Sequence, residues 1–185
     1  LIGLYDDLRE ISYVFRLIFI YIILIIFLNF NEDYLISYLY FESLDKTFLL
    51  NEYSLIVTPF FILLLLNSLN MADGINGNSA FIVLSYIILL YEKNNDLNFF
   101  VLGIIFPIII FLFYNFQNKV YLGDSGVYLL SILISLYVIK RYNYGSEVLS
   151  CEKIFLIFMI PGIDMFRLFI ERLVKNKNPF KGDLN

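Results

Sequence analysis

The sequence predicts an all-α polytopic membrane protein with about six transmembrane helices and a small extramembrane β-hairpin. Three observations predict it. Hydrophobic residues fill 60% of 185 positions and the mean hydropathy is +0.78, above the range of a soluble domain. The apolar runs are made of Ile, Leu and Phe without the period-2 alternation of barrel strands. The acidic motifs gather between those runs, on what the alternation of spans makes one side.

A bilayer core takes about 20 mostly apolar residues per helix. Six segments come near that: 13–30, 48–66, 79–91, 99–114, 126–139 and 153–173. The third and fifth are short and depend on packing against the others. Pro59, Pro107 and Pro161 fall inside three of them, where a kink is tolerated if neighbours satisfy the freed carbonyls. After the first span, "DYLISYLYFE" (33–42) alternates weakly and reads as the hairpin. The spans divide the loops into two sets. Residues 1–12, 67–78, 115–125 and the C-terminal tail form the first, and with their flanks they hold the larger share of Lys and Arg. The positive-inside rule places that set in the cytoplasm.

Composition also excludes. Thirteen basic against 17 acidic residues, net −4, leave no basic patch for nucleic acid. The single cysteine, Cys151, rules out an internal disulfide and a cysteine-held zinc cluster. Histidine is absent, so chemistry here has to run on carboxylates, lysine, tyrosine or a metal that carboxylates hold. The chain starts at Leu1 without an initiator Met or a signal peptide. It reads as one transmembrane domain, 1–185, cut from a longer protein with both ends missing.

Polar motifs concentrate on the cytoplasmic set. "GLYDDL" (3–8) carries Asp6 and Asp7 before the first span. An acidic pair there is either a solvated helix start at the positive end of the dipole or a pair that binds a divalent cation or activates a nucleophile. "NSLNMADGING" (67–77) and "VYLGDSGV" (120–127) place Asp73 and Asp124 before two further spans. Asp and Ser are good N-caps and Gly suits a turn, which is the plain alternative at each. Repetition speaks against it. Three helix N-termini aimed at one surface suit phosphate, and carboxylates beside phosphate call for a bridging hard cation such as Mg²⁺. Asp164 follows a Pro161-Gly162 break in the last span, with Arg167 and Glu171 at helical spacing. Those charges are either a structural ion pair or a site inside the bundle. The basic tail "RLVKNKNPFKGD" is either a positive-inside anchor or an attractor for an anionic nucleotide or headgroup.

These motifs, in this order, resemble the polyprenyl-phosphate N-acetylhexosamine-1-phosphate transferases, glycosyltransferase family 4. "GLYDDL" is similar to the family's Gly-x-x-Asp-Asp, and "NSLNMADGING" to its Asn-x-x-Asn-x-x-Asp-Gly-x-Asp/Asn-Gly. "NFQNKVYLGDSG" resembles the Asn-Phe…Gly-Asp-Ser/Thr-Gly segment, and "PGIDMFRLFIERLVKNKNPFKGDLN" the late Pro-x-x-Asp-x-x-Arg…Pro-Phe…Asp segment. Asn76 stands where many members have a second Asp, and Val127 where Ser is common. The family continues from the last Asp-x-Asn into a His-x-His-His motif, past Asn185, so the missing histidines are expected beyond the chain's end.

The resemblance implies transfer of a sugar-1-phosphate, GlcNAc-1-phosphate by the Pro-Phe-x-x-Asp tail, from a UDP-sugar to undecaprenyl phosphate, releasing UMP. Such a step initiates cell-surface polysaccharides, lipopolysaccharide among them. Within the family the alternative is a phospho-MurNAc-pentapeptide transferase. It implies Asp6 and Asp7 as catalytic residues and Asp124 as the ligand of Mg²⁺, with Mn²⁺ as the substitute. It implies Asn67, Asn70, Asp73, Asn76, Asn115, Asp164 and Arg167 as substrate-binding residues. The partners are the UDP-sugar, undecaprenyl phosphate and the lipid bilayer, with a homodimer left open. A transporter or channel subunit is the rival class. It explains Asp164 and Arg167 but not three Asp motifs in loops on one side.

Overall fold

A computed structural model describes residue 3 and residues 12–73, 76–91, 98–145 and 148–175. Helices stand at all six apolar runs: α1 (Tyr13–Phe30), α2 (Ser54–Ala72), α3 (Asn78–Leu89), α4 (Asn98–Asn115), α5 (Gly123–Tyr144) and α6 (Cys151–Val174). Between α1 and α2 lies an antiparallel hairpin, β1 (Tyr38–Phe41) with β2 (Lys46–Leu49). A lipid-facing backbone must satisfy its own hydrogen bonds, and helices do that for runs this apolar. Three helices, α1, α2 and α5, are long and apolar enough to cross a membrane. α3 and α4 are apolar but shorter, and α6 carries Asp164, Arg167 and Glu171 in its second half.

The bundle is organised around α2, which packs against α1, α5 and α6. Its Ile62, Leu65, Leu66 and Leu69 are buried, together with Val127, Ile134 and Val138 of α5 and Val83 and Ile87 of α3. Ser131 and Ser135 of α5 are fully buried too, each hydroxyl donating to the carbonyl one turn back at 2.7 Å. Small residues with self-satisfied hydroxyls let membrane helices approach closely. Large apolar side chains also cover the outside: Phe15, Ile18 and Ile22 on α1, Phe106 and Phe113 on α4, Phe155 and Ile160 on α6. Such a surface is unfavourable in water and ordinary in lipid.

α5 is longer than the expected 126–139 and is not a short span, and the expected edges of the hairpin and of the start of α2 shift for one shared reason. The hairpin does not occupy 33–42. Its strands pair Tyr38 with Leu49 and Phe41 with Lys46, so the first residues of the expected 48–66 span are strand. α2 therefore starts at Ser54 and runs on to Ala72. Alternation was weak because this two-stranded sheet has no fully buried face.

The hairpin closes one end of the bundle. Tyr38 and Tyr142 rings stack at 5.0 Å, and Tyr142 OH accepts from the Tyr40 N–H at 2.8 Å. The Glu152 carboxylate, in the first turn of α6, accepts the backbone N–H groups of Glu42 and Ser43, both at 3.1 Å. Lys153 pairs with Glu42 at 2.8 Å. α5 is 22 residues long, so its first turn lies about 33 Å from this end.

Candidate functional site

At the other end of α5, Gly123 opens the helix with φ 63, and Asp124 falls in the first turn. The plain alternative for Asp124 in the sequence was an N-cap before the helix. The N-cap is Leu122, which frees the Asp124 carboxylate for other partners. Arg16, one turn into α1, donates from its terminal nitrogen to Asp124 Oδ2 at 3.0 Å. The same guanidinium lies 5.4 Å from the centroid of the Tyr128 ring, one turn along α5. Gly3 reaches this corner as well. A Cβ there would sit 2.8 Å from Ser125 N and 3.0 Å from the Asp124 carbonyl carbon. Only glycine allows the chain at this residue to lie on the α5 backbone. Asp6 and Asp7 lie outside the described residues.

A second corner forms where α2 turns into α3. Because α2 extends to Ala72, Asn67 and Asn70 sit on its last turns, and Asp73 caps its C-terminus. Spacing of three puts these residues along one side of the helix end. Asn67 donates to Leu63 O at 3.0 Å, and the Asp73 N–H reaches Asn70 O at 3.4 Å. Burial pushes the Asp73 carboxyl above the ordinary carboxylate range, against a hydrogen bond with Ser79 that pulls it down. The single hydroxyl proton of Ser79, on α3, has Leu69 O at 3.2 Å as its other acceptor, so the residue bridges α3 and the end of α2 behind the aspartate. Gly77 makes the turn at φ 77, and a Cβ there would meet Leu112 and Phe116 at 3.0 and 3.1 Å.

Those contacts lead to the third corner, the α4–α5 loop. Asn76 Nδ2 donates to Asn118 Oδ1 at 2.6 Å, across 42 residues of sequence. Asn115, at the end of α4, donates from Nδ2 to Val120 O at 2.7 Å and accepts the Asn118 N–H on its backbone carbonyl at 2.8 Å. Its Oδ1 is buried without a hydrogen-bond partner among the described residues. Such an acceptor is a place for a donor from water or ligand. The structure thus brings Asn67, Asn70, Asp73, Asn76, Asn115 and Asp124 to one end of the bundle.

Asp164 and Arg167 are arranged differently. Arg167 donates to Asp164 Oδ1 at 2.9 and 2.7 Å, and Glu171 lies 3.7 Å from the same guanidinium. Their side chains are 43% and 61% exposed, and their ion pair stays within α6. Sequence reasoning passed over Arg16, Ser79, Asn118 and Tyr128. Arg16 had a readable signal, a permanent charge four residues into an otherwise apolar span.

The donors gathered here are carboxylate and amide oxygens, which suit a hard cation over a soft one. Among the described residues no group of three or more Asp, Glu, Cys or His is assembled. A cation at Asp124 would therefore take one protein carboxylate from this set and complete its shell with water and phosphate oxygens. Mg²⁺ binds in that way, so the residues fit it.

Comparison with known proteins identifies relatives of the chain as a whole. The model of glycosyl transferase family 4 matches residues 1–141. The chain is 25% identical over 193 residues to the undecaprenyl-phosphate alpha-N-acetylglucosaminyl 1-phosphate transferase of Escherichia coli K12, covering 98% of the chain and 52% of that protein. The Thermotoga maritima enzyme of the same name is 28% identical over 188 residues, covering 99% and 55%. The chain spans about half the length of the curated relatives it matches. No solved structure gives a significant match.

Proposed function

The chain belongs to glycosyl transferase family 4, and from that premise we propose that its protein transfers GlcNAc-1-phosphate from UDP-GlcNAc to undecaprenyl phosphate in the bacterial inner membrane. The observation that supports this most directly is the meeting of Gly3 with Asp124 and Ser125 at the end of the bundle that also holds Asp73, Asn76 and Asn115. Separate helix starts and loops converge there, as a phosphate-handling site requires.

In the reaction, an oxygen of the lipid phosphate attacks the sugar-bearing phosphorus of the nucleotide. The bridging P–O bond to UMP breaks, UMP leaves with that electron pair, and the lipid pyrophosphoryl sugar forms. Phosphoryl transfer of this type depends on alignment and charge neutralisation. A divalent cation, when bound, neutralises the pyrophosphate and the departing UMP. Asp124 supplies the carboxylate that holds it. Asp6 or Asp7 orients the lipid phosphate or takes its proton, if it carries one. Asp73, Asn70 and Asn67 line the side of α2 that meets the nucleotide sugar. Asn115 offers its unpartnered Oδ1 to a donor on that substrate, and Asn76 keeps the two loops at a fixed separation.

The site faces the cytoplasm, where the nucleotide sugar is found, and the apolar faces of α1, α4 and α6 face lipid. The deciding assay is UMP release by the full-length protein from UDP-GlcNAc, with and without undecaprenyl phosphate and Mg²⁺. Release that needs both supports the reading. Release without the lipid, or none with any UDP-sugar, refutes it.

A further inference from the structure

Arg16 places a permanent positive charge on the carboxylate that the proposed reaction needs for its cation. Its terminal nitrogen is 3.0 Å from Asp124 Oδ2, and its side chain is 14% exposed against 32% for Asp124. The buried Tyr128 ring lies under the guanidinium at 5.4 Å, which fixes it from the other side. An arginine so held does not lose its proton, and part-burial strengthens its field. Resting on the reading of Asp124 as the cation's carboxylate, we propose that Arg16 is a positioning residue that makes cation uptake depend on the nucleotide.

The argument is one of charge. Arg16 pairs with Asp124, so a bare dication meets a ligand carboxylate that already has a cation beside it. A nucleotide diphosphate changes that balance. Its oxygens complete the cation's shell and offer a second acceptor for the guanidinium, so Asp124 is released to the metal. The cation and diphosphate then enter as one unit, and Arg16 ends beside the phosphates. A lysine could supply the charge but not the planar, multi-donor contact with both a carboxylate and a phosphate. A purely structural ion pair between α1 and α5 would have no such effect on the metal.

Mn²⁺ binding to the full-length protein, followed by electron paramagnetic resonance with no lipid acceptor present, separates the two. Wild type should bind free Mn²⁺ weakly and bind it at least about tenfold more tightly once UDP is added, the size expected for removing one neighbouring charge effect. In R16Q, free Mn²⁺ should bind about tenfold more tightly than in wild type, and the gain from UDP should shrink. R16K keeps the charge and should remain near wild type for free Mn²⁺, which guards against a fold defect in R16Q. If R16Q binds free Mn²⁺ no better than wild type, Arg16 is only a structural partner and the proposal falls. If D124N binds Mn²⁺ like wild type with UDP present, the assignment of the cation to Asp124 falls, and this inference with it.

Discussion

Asp73 sits one residue past the last turn of α2, half-buried, with burial raising its carboxyl above the value of 3.8 that an unfolded chain shows. The unfolded chain therefore loses this proton at lower pH than the folded one. Between the two values the folded protein binds more protons, so stability falls as pH rises through that window and stays reduced above it. Asp73→Asn removes that burden. Thermal unfolding of the full-length protein in detergent should give a higher midpoint for the variant at pH 7, with the gap closing toward pH 4. UMP release should fall on the order of 10²-fold, the size associated with losing one placed polar group in a site. A variant both more stable and fully active would show that Asp73 has no part in the substrate contact. Asp124→Asn should behave oppositely on stability. From sequence, asparagine would remain a good cap there and leave stability unchanged. Leu122 is the cap, and the substitution removes the carboxylate charge that part-buried Arg16 meets at 3.0 Å. Fully buried pairs lose about 3–5 kcal/mol when broken this way, and this corner, a third exposed at Asp124, should lose less. Turnover should collapse as well, which the same two measurements would report.

Among the elements, existence was legible and edges were not. Long Ile, Leu and Phe runs admit only a helix in lipid, so all six helices were marked by composition alone. The start of α2 was misplaced because Phe48 and Leu49 are apolar in a strand and in a span alike, and only pairing with Tyr38 and Leu39 distinguishes them. The site was legible as a set of motifs and not as contacts. Nothing local to "NGNS" or "QNKV" announces that Asn76 would meet Asn118, because that bond is set by how α3 and α4 return to the same end. Gly3 shows the same limit. The resemblance to Gly-x-x-Asp-Asp marked it, but its reason is the α5 backbone it lies on. Gly3→Ala would force that backbone to shift, and UMP release should drop about 10²-fold, the scale of a misplacement near 1 Å. Gly103→Ala is the matched control. A Cβ there meets nothing within 4 Å, and alanine inside α4 should leave turnover unchanged while stabilising by about 0.5–1 kcal/mol. Equal losses in both would remove the contact as the explanation.

The whole molecule separates its proposed chemistry from its clamp. Asp124 and Arg16 lie at the start of α5, and Tyr142 at its far end meets the hairpin, with about 33 Å of a 22-residue helix between them. That distance matches a bilayer's hydrocarbon thickness. Antiparallel succession of α1, α2 and α3 to α6 then puts every polar corner at one end and the Tyr38–Tyr142 and Glu152–Ser43 contacts at the other. A membrane crossing along α5 leaves the two ends in different compartments, and in the proposed orientation, which the Lys and Arg bias favours, the Asp124 end is cytoplasmic. Cysteine labelling tests this directly. In a full-length background with Cys151→Ala, cysteines are placed singly at Lys46, on β2, and at Lys119, in the α4–α5 loop, both exposed. A membrane-impermeant maleimide applied to intact spheroplasts should modify the Lys46 site and spare the Lys119 site. Inverted vesicles should give the reverse pattern. Reversed accessibility of both sites would turn the protein over and strand the nucleotide site outside. Modification of both from one side would mean that α5 does not cross, and the separation of site from clamp would no longer be a separation across the membrane.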